Sequence, residues 1–153
     1  MQRIYPNIYK TARQSAGFTQ EQAAELLHLS IRSLSDYEGG KTIPGDDIVC
    51  GMIETYKTEW LGYEHLKCNT KVGQMYLPDI DFTDLAKSVL RLQKEVADVD
   101  EINPRMVEVA CDGVVHEHEE ETWAQVTKEV MEMVSAGLGV VFYQKEKALC
   151  RGL

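Results

Sequence analysis

The chain has 153 residues, a formal net charge of −9 and 44% hydrophobic residues, enough for one domain or two small ones with packed cores. Met1 to Lys10 lacks the apolar segment of a secretory signal, and the most apolar run, Ala136 to Tyr143, is far too short to span a bilayer. Cys50, Cys68, Cys111 and Cys150 stand far apart with no Cys-x-x-Cys pair, which argues against a disulfide or zinc framework and for a reduced, cytoplasmic chain.

The acidity is unevenly spread. Met1 to Gly45 carries +1, with Arg3, Lys10, Arg13, Arg32 and Lys41 set against Glu21, Glu25, Asp36 and Glu38, whereas Asp81 to Leu153 carries −7. A nucleic-acid-binding surface is therefore compatible only with the N-terminal part, and with a modest electrostatic contribution from each copy.

In chain order, Ile4 to Ala16 reads as a helix with Pro6 near its first turn and Gly17 ending it. Ile8, Tyr9 and Ala12 are expected to face inward, with Lys10 and Arg13 outside. Phe18 to Lys41 then reads as two short helices joined by a tight turn. Thr19 and Gln22 form a capping box at the start of the first, and Ala23, Ala24 and Leu27 give it an apolar side. Ser30 caps the second, Gly39-Gly40 ends it, and Leu34 and Tyr37 share one face opposite Arg32 and Asp36. Two helices crossing closely over the small pair Ala23-Ala24 have the geometry of a helix-turn-helix. On pattern alone, a hairpin belonging to another all-α domain is an equal alternative.

The residues Thr19-Gln20-Glu21, Ala24, Leu27, Ser30, Leu34, Tyr37, Glu38, Gly40 and Lys41 resemble the helix-turn-helix of the lambda repressor and Cro-like family, also called the XRE family of bacterial and phage regulators. The likeness extends from Met1 to about Leu66, and His28 departs from it where the family has a turn glycine. It implies a five-helix lambda-repressor-like DNA-binding domain; with the helical pattern read after Asp81, the expected fold is all-α, that domain followed by a smaller helical C-terminal module.

Asp46-Asp47 suit the N-terminus of a fourth helix carrying Ile48, Val49, Met52, Ile53 and Tyr56, and Thr58 is placed to cap a fifth, Glu59 to Lys67, with Trp60, Leu61 and Leu66. We place a DNA-binding domain at 1–68, a linker at 69–80 and a helical module at 81–153. In the linker Val72, Met75, Tyr76 and Leu77 are expected to pack onto a neighbouring surface. Beyond it, Phe82, Leu85, Ala86, Val89, Leu92 or Gln93, and Val96 mark an amphipathic helix to about Ala97, and Pro104 to Ala110 a short one. After the turn signal Asp112-Gly113, a long helix with an acidic start carries Trp123, Val126, Val130, Met133 and Gly137, its stripe widened by Val134, Leu138 and Val141. Gly137 and Gly139 mark either its end or a close crossing. Asp112-Gly113 before an acid-rich helix start resembles the tails of some phage regulatory proteins. So wide an apolar stripe on so few helices needs a partner, and we expect a homodimer formed mainly after Asp81, with packing back onto the first domain as the alternative.

No catalytic constellation, phosphate loop or His-Glu-x-x-His motif is present, and no cofactor is implied. His116-Glu117-His118-Glu119 reads as a solvated helix start whose histidines point apart, so no metal site is expected. By resemblance, Gln20 and Ser30 bond phosphates, Lys41 lies beside the backbone, and Ile31, Arg32 and Asp36 face the bases of double-stranded DNA, flanked by Ser33 and Ser35. Arg32 has the chemistry for guanine O6 and N7, Ile31 for a thymine methyl and Asp36 for cytosine N4. Arg32 and Asp36, one turn apart, are also able to pair with each other. The expected function is sequence-specific regulation of transcription by a homodimer on a palindromic operator. Two other readings stay open: a protein-interaction module of antitoxin or anti-repressor type, and a small-molecule sensor.

Overall fold

The structure, a computed structural model, describes residues 7–143. Every regular element among them is helical, and the chain divides into two compact units, Met1–Leu77 and Pro78–Leu153.

The first unit contains α1 (Ile8–Ser15), α2 (Gln20–Leu26), α3 (Ile31–Glu38), α4 (Asp46–Tyr56), α5 (Trp60–Asn69) and α6 (Lys71–Tyr76). Asn7 opens α1, its side-chain oxygen accepting from the backbone N–H groups of Tyr9 and Lys10 at 3.1 Å each. The part of the expected helix from Ile4 to Pro6 lies outside the described residues. At α2 the capping box is complete: the Gln22 N–H donates to Thr19 Oγ1 at 3.2 Å, and the Thr19 N–H to Gln22 Oε1 at 3.0 Å. Beyond α3, Gly40 takes φ +70°, which glycine adopts without strain, and the Lys41 N–H closes onto the Asp36 carbonyl at 2.9 Å. Thr58 does not cap α5. Its hydroxyl is buried without a hydrogen-bond partner, and Glu59 holds the N-cap position.

Tyr9, Ala12, Ala23, Ala24, Leu34, Val49, Met52, Tyr56, Trp60 and Leu61 form the core of this unit, where α1 packs on α3, α4 and α5. A fully buried leucine such as Leu34 contributes about 2 kcal/mol from burial alone, so it fixes which side of α3 is inward. Arg13, expected outside, is also buried.

The stretch 69–80, read from sequence as a linker, holds α6, and the division between units falls between Leu77 and Pro78. Thr70 caps α6 by accepting from the Gly73 N–H at 2.8 Å. Lys67 Nζ donates to the carbonyls of Gln74 and Leu77 from the preceding helix. Val72, Met75 and Tyr76 are exposed rather than packed, and only Leu77 of that expected group is half-buried.

In the second unit α7 (Leu85–Ala110) and α8 (Glu120–Val141) pack along their length, joined by 111–116 and the 3-10 turn Glu117–Glu119. The two helices expected at Phe82–Ala97 and Pro104–Ala110 are one. Nothing between Asp98 and Asn103 breaks it, and Pro104 is accommodated, exposed, inside it. Ser88, Leu92, Glu95, Val99, Ile102, Met106 and Val109, buried or half-buried, alternate four and three residues apart in a heptad seam, with Asp98 half-buried at its edge. The expected stripe was therefore displaced by one position: Val89 and Val96 are 37% and 41% exposed, while Ser88 and Glu95 are buried. Continuity with Ile102 and Val109 sets this register, because counting back from them in heptad steps reaches Glu95 and Ser88. On α8 Trp123, Val126, Val130, Met133 and Gly137 face inward as expected, whereas Val134 and Val141 are exposed.

The segment before α7 lies against α8. Ser135 Oγ donates to the Asp79 carbonyl at 2.6 Å, Ser88 Oγ to that of Asp81 at 3.1 Å, and a Cβ on Gly139 would stand 2.6 Å from the Asp81 oxygen. Gly139 thus marks a close approach of backbone to helix, and α8 runs past it to Val141.

Gly139→Ala is expected to destabilise the protein by about 1–3 kcal/mol, because the Asp81 backbone has to shift. Pro104→Ala is expected to stabilise it by up to about 3 kcal/mol through the restored helical amide and the relieved ring clash. Urea unfolding of the two variants checks the opposite signs.

Candidate nucleic-acid interface

The α2–α3 pair is joined through Leu27–Ser30. His28 adopts φ 54°, the left-handed region in which a non-glycine residue costs about 1–2 kcal/mol. The turn nevertheless closes, with the Leu29 N–H donating to the Ala24 carbonyl at 2.9 Å and the His28 N–H to that of Glu25 at 3.2 Å.

What holds α3 against the rest of the unit is a buried ion pair. Arg13 Nε donates to Glu38 Oε1 at 2.6 Å and Nη2 to Oε2 at 2.9 Å, with the residues only 7% and 6% exposed. Arg13 Nη1 also donates to the Phe18 carbonyl at 2.7 Å, and Gln20 Nε2 to Glu38 Oε2 at 2.9 Å. One guanidinium and one carboxylate therefore join α1, the α1–α2 loop, α2 and the end of α3. Burial by itself would raise the Glu38 carboxyl, but the hydrogen bonds from Arg13 and Gln20 and the Arg13 charge outweigh it, leaving the carboxyl below the usual carboxylate range. Asn7 adds a second tie, its Nδ2 donating to the Tyr37 carbonyl at 2.8 Å in the last turn of α3.

A further polar chain lies within the unit. Asn69 Nδ2 donates to the Tyr9 hydroxyl at 2.9 Å, which stands 2.8 Å from His65 Nδ1, and His65 Nε2 lies 3.3 Å from Asp46 Oδ1. Burial pushes the Tyr9 hydroxyl up to about 12. The sequence Asp–His–Tyr invites a catalytic reading, but Tyr9 and His65 are buried among α1 and α5, where the chain ties those helices to the start of α4.

On the outward side of α3, Arg32 and Ser35 are exposed and Ile31 is 48% exposed, with Ser33 and Asp36 half-buried beside them. The Arg32–Asp36 pair, open to these two residues by their spacing, is not formed. Asp36 instead meets Lys41 Nζ at 3.0 Å, and Arg32 has no hydrogen bond or ion pair to any described residue. Ser30 Oγ accepts from the Ser33 N–H at 3.0 Å and shares a 2.8 Å hydrogen bond with Ser33 Oγ, so the pair forms the helix cap. Gln20 stands at the start of α2 as expected, with its amide nitrogen engaged by Glu38. The structure thus brings Ile31, Arg32, Ser33, Ser35 and Asp36 to one helix, with Lys41 alongside Asp36 and Gln20 turned toward Glu38.

Sequence reasoning missed Arg13, Glu38 and Asn7. Arg13 lies four residues after Tyr9 and Glu38 four after Leu34, so each sits on an inward stripe. Two opposite charges on two inward stripes are the signal that was present. His116 and His118, expected to point apart, stack with ring centroids 5.8 Å apart, and His116 Nε2 meets Asp112 Oδ2 at 2.8 Å. The Asp112 hydrogen bond holds the His116 imidazole above its ordinary value.

Residues 10–59 match the family model described as a helix-turn-helix domain, which spans most of α1 through α4. This stretch, about a third of the chain, is thus similar to a helix-turn-helix domain. No curated protein and no solved structure matches it.

Arg13→Met is expected to cost about 3–5 kcal/mol by stranding the Glu38 carboxylate, and Arg13→Met with Glu38→Leu to recover most of that. Because the folded Glu38 carboxyl is depressed, its contribution is complete above the ordinary carboxylate range and is lost as pH falls through and below it. Urea melts across acidic pH should show this loss in the wild type and a weaker one in the double variant.

Proposed function

We propose that the protein is a sequence-specific DNA-binding regulator of transcription of the lambda repressor and Cro-like type, with α3 in the major groove of double-stranded DNA. The observation that carries the reading is the state of the charges on α3. Glu38 pairs with Arg13 and Asp36 with Lys41, while Arg32 is exposed and unengaged among the described residues. A base-reading arginine has to be free in this way, and its bidentate bonds to guanine contribute about 1–3 kcal/mol of discrimination. Ile31 beside it is suited to a thymine methyl. The Asp36–Lys41 pair is a surface pair of about 0–1 kcal/mol, weak enough to open so that Asp36 meets a cytosine and Lys41 a phosphate. Ser30, Ser33 and Ser35 flank the reading face as adaptable hydrogen-bonding groups, and Gln20 reaches the backbone through its amide oxygen.

The protein acts as a homodimer on a palindromic operator. A reading head of about +1 neutralises few phosphates, and pairing two heads doubles the contacts. The hairpin of the second unit supports pairing because Val89, Leu90, Val96, Met131 and Val134 are exposed on it.

Binding-site selection from random DNA should return an inverted repeat whose affinity falls with salt. Arg32→Ala should relax specificity at one position of each half-site by about 1–3 kcal/mol. Binding indifferent to Arg32 removes α3 as the reading element, and a single, unrepeated site argues against the homodimer.

A further inference from the structure

The second unit holds three carboxylates brought together from two helices. Glu95 on α7 and Glu129 and Glu132 on α8 each present one oxygen, and these oxygens lie within 4.8 Å of one another. Exposed acids often cluster without consequence, but Glu95 is not exposed. It sits on the inward seam of α7, 5% accessible, and its Oε2 is buried with no hydrogen-bond partner. A buried carboxylate oxygen with no donor is unfavourable unless something of opposite charge occupies the space beside it.

The neighbouring side chains only partly supply that charge. Lys128 Nζ stands 3.4 Å from Glu129 Oε1 and 3.3 Å from Glu132 Oε1. Glu95 Oε1 has Lys94 Nζ at 3.6 Å and Arg91 Nε at 3.9 Å, both beyond good hydrogen-bonding distance, and Lys94 is drawn to Asp98 at 2.6 Å instead. These ion pairs reach Oε1 only, and among the described residues none hydrogen-bonds to Oε2.

We propose that Glu95, Glu129 and Glu132 form a binding site for a hard divalent cation of the calcium and magnesium class. The donor set consists of carboxylate oxygens without cysteine or histidine, which selects such ions over zinc or copper. Oxygens within 4.8 Å of one another can close around a calcium ion at about 2.4 Å from each by small side-chain movements, and around magnesium or manganese by a larger closure. Three protein oxygens leave the remaining positions to water. A cleft of ≈ 410 Å³ lined by Asp98, Glu101, Ile102, Arg105, Gln125 and Glu129 meets the site at Glu129 and opens it to solvent. Ligands from both α7 and α8 make the ion a cross-link of the hairpin, present only when the two helices are in register.

The test uses the full chain, stripped with a chelator and titrated calorimetrically with calcium, magnesium or manganese chloride alone, with manganese binding also followed by electron paramagnetic resonance. One saturable site per chain is expected. Glu129→Gln and Glu132→Gln, both at half-buried positions, should each weaken it by about tenfold or more, since ligand charge sets affinity at such sites. The ion should raise the melting temperature of the wild type and not of these variants. Absence of saturable binding by all three ions overturns the proposal. So does binding unchanged in both variants, or stabilisation reproduced by sodium chloride at equal ionic strength. Glu95→Gln supplies a third variant; if it fails to fold, the two α8 variants still decide the question.

Discussion

The arrangement of the first unit depends on a single buried contact, the fork of Arg13 around Glu38. Two ions withdrawn from water on folding gain little net stability from their attraction, so the pair does not serve chiefly as a source of free energy. Its effect is selective. A guanidinium with both ends engaged by one carboxylate and a third nitrogen on the Phe18 carbonyl tolerates few placements of α1 relative to α3. Gln20 and Asn7 extend the same constraint to α2 and to the last turn of α3. The apolar core around Leu34 decides that α3 is buried on one side. The polar contacts decide at what rotation and height it is held, and hence how its outer residues are presented.

The charges of the first unit are arranged around that fork. Arg13 is taken inside, Lys41 is occupied by Asp36, and the acidic residues of α3 are both engaged. A segment with a nearly balanced formal charge thus offers one unengaged cation on the outer face of α3. The acidity of the chain is concentrated after Asp81, outside that segment.

Much of this was legible in the residues because local signals agreed. Thr19 with Gln22, Ser30, Gly39-Gly40 and the alanine pair each specify a boundary or a close packing from their own chemistry, and the structure uses each in that way. The failures share a cause. Arg13 and Glu38 are separated by two helices, and no short-range pattern links a charge on one inward stripe to its opposite on another. The seam of α7 was displaced because Val89 and Val96 are more apolar than Ser88 and Glu95, and a reading by hydrophobicity follows the valines. The register is fixed from beyond Pro104, a residue that reads as a boundary and is built into the helix instead. On α3, sequence indicated which residues face outward, but Asp36 pairs with Lys41 across the helix end rather than with Arg32 one turn away.

The heptad spacing of the second unit brings an ambiguity of its own. Two helices whose inward residues recur every seven positions fit one another almost as well when one slides by two turns, so packing alone leaves the hairpin several nearly equivalent alignments. The short segment in front of α7 removes this degeneracy. Ser135 and Ser88 each receive one carbonyl of that segment, and only Gly139, lacking a side chain, lets the Asp81 backbone lie flat against α8. These three positions recur nowhere else along the seam in that combination. The segment therefore works as a key that fits a single alignment of the hairpin. A hairpin closed one heptad out of place has no seat for it, so these few polar contacts near one end favour one pairing of the whole over its alternatives.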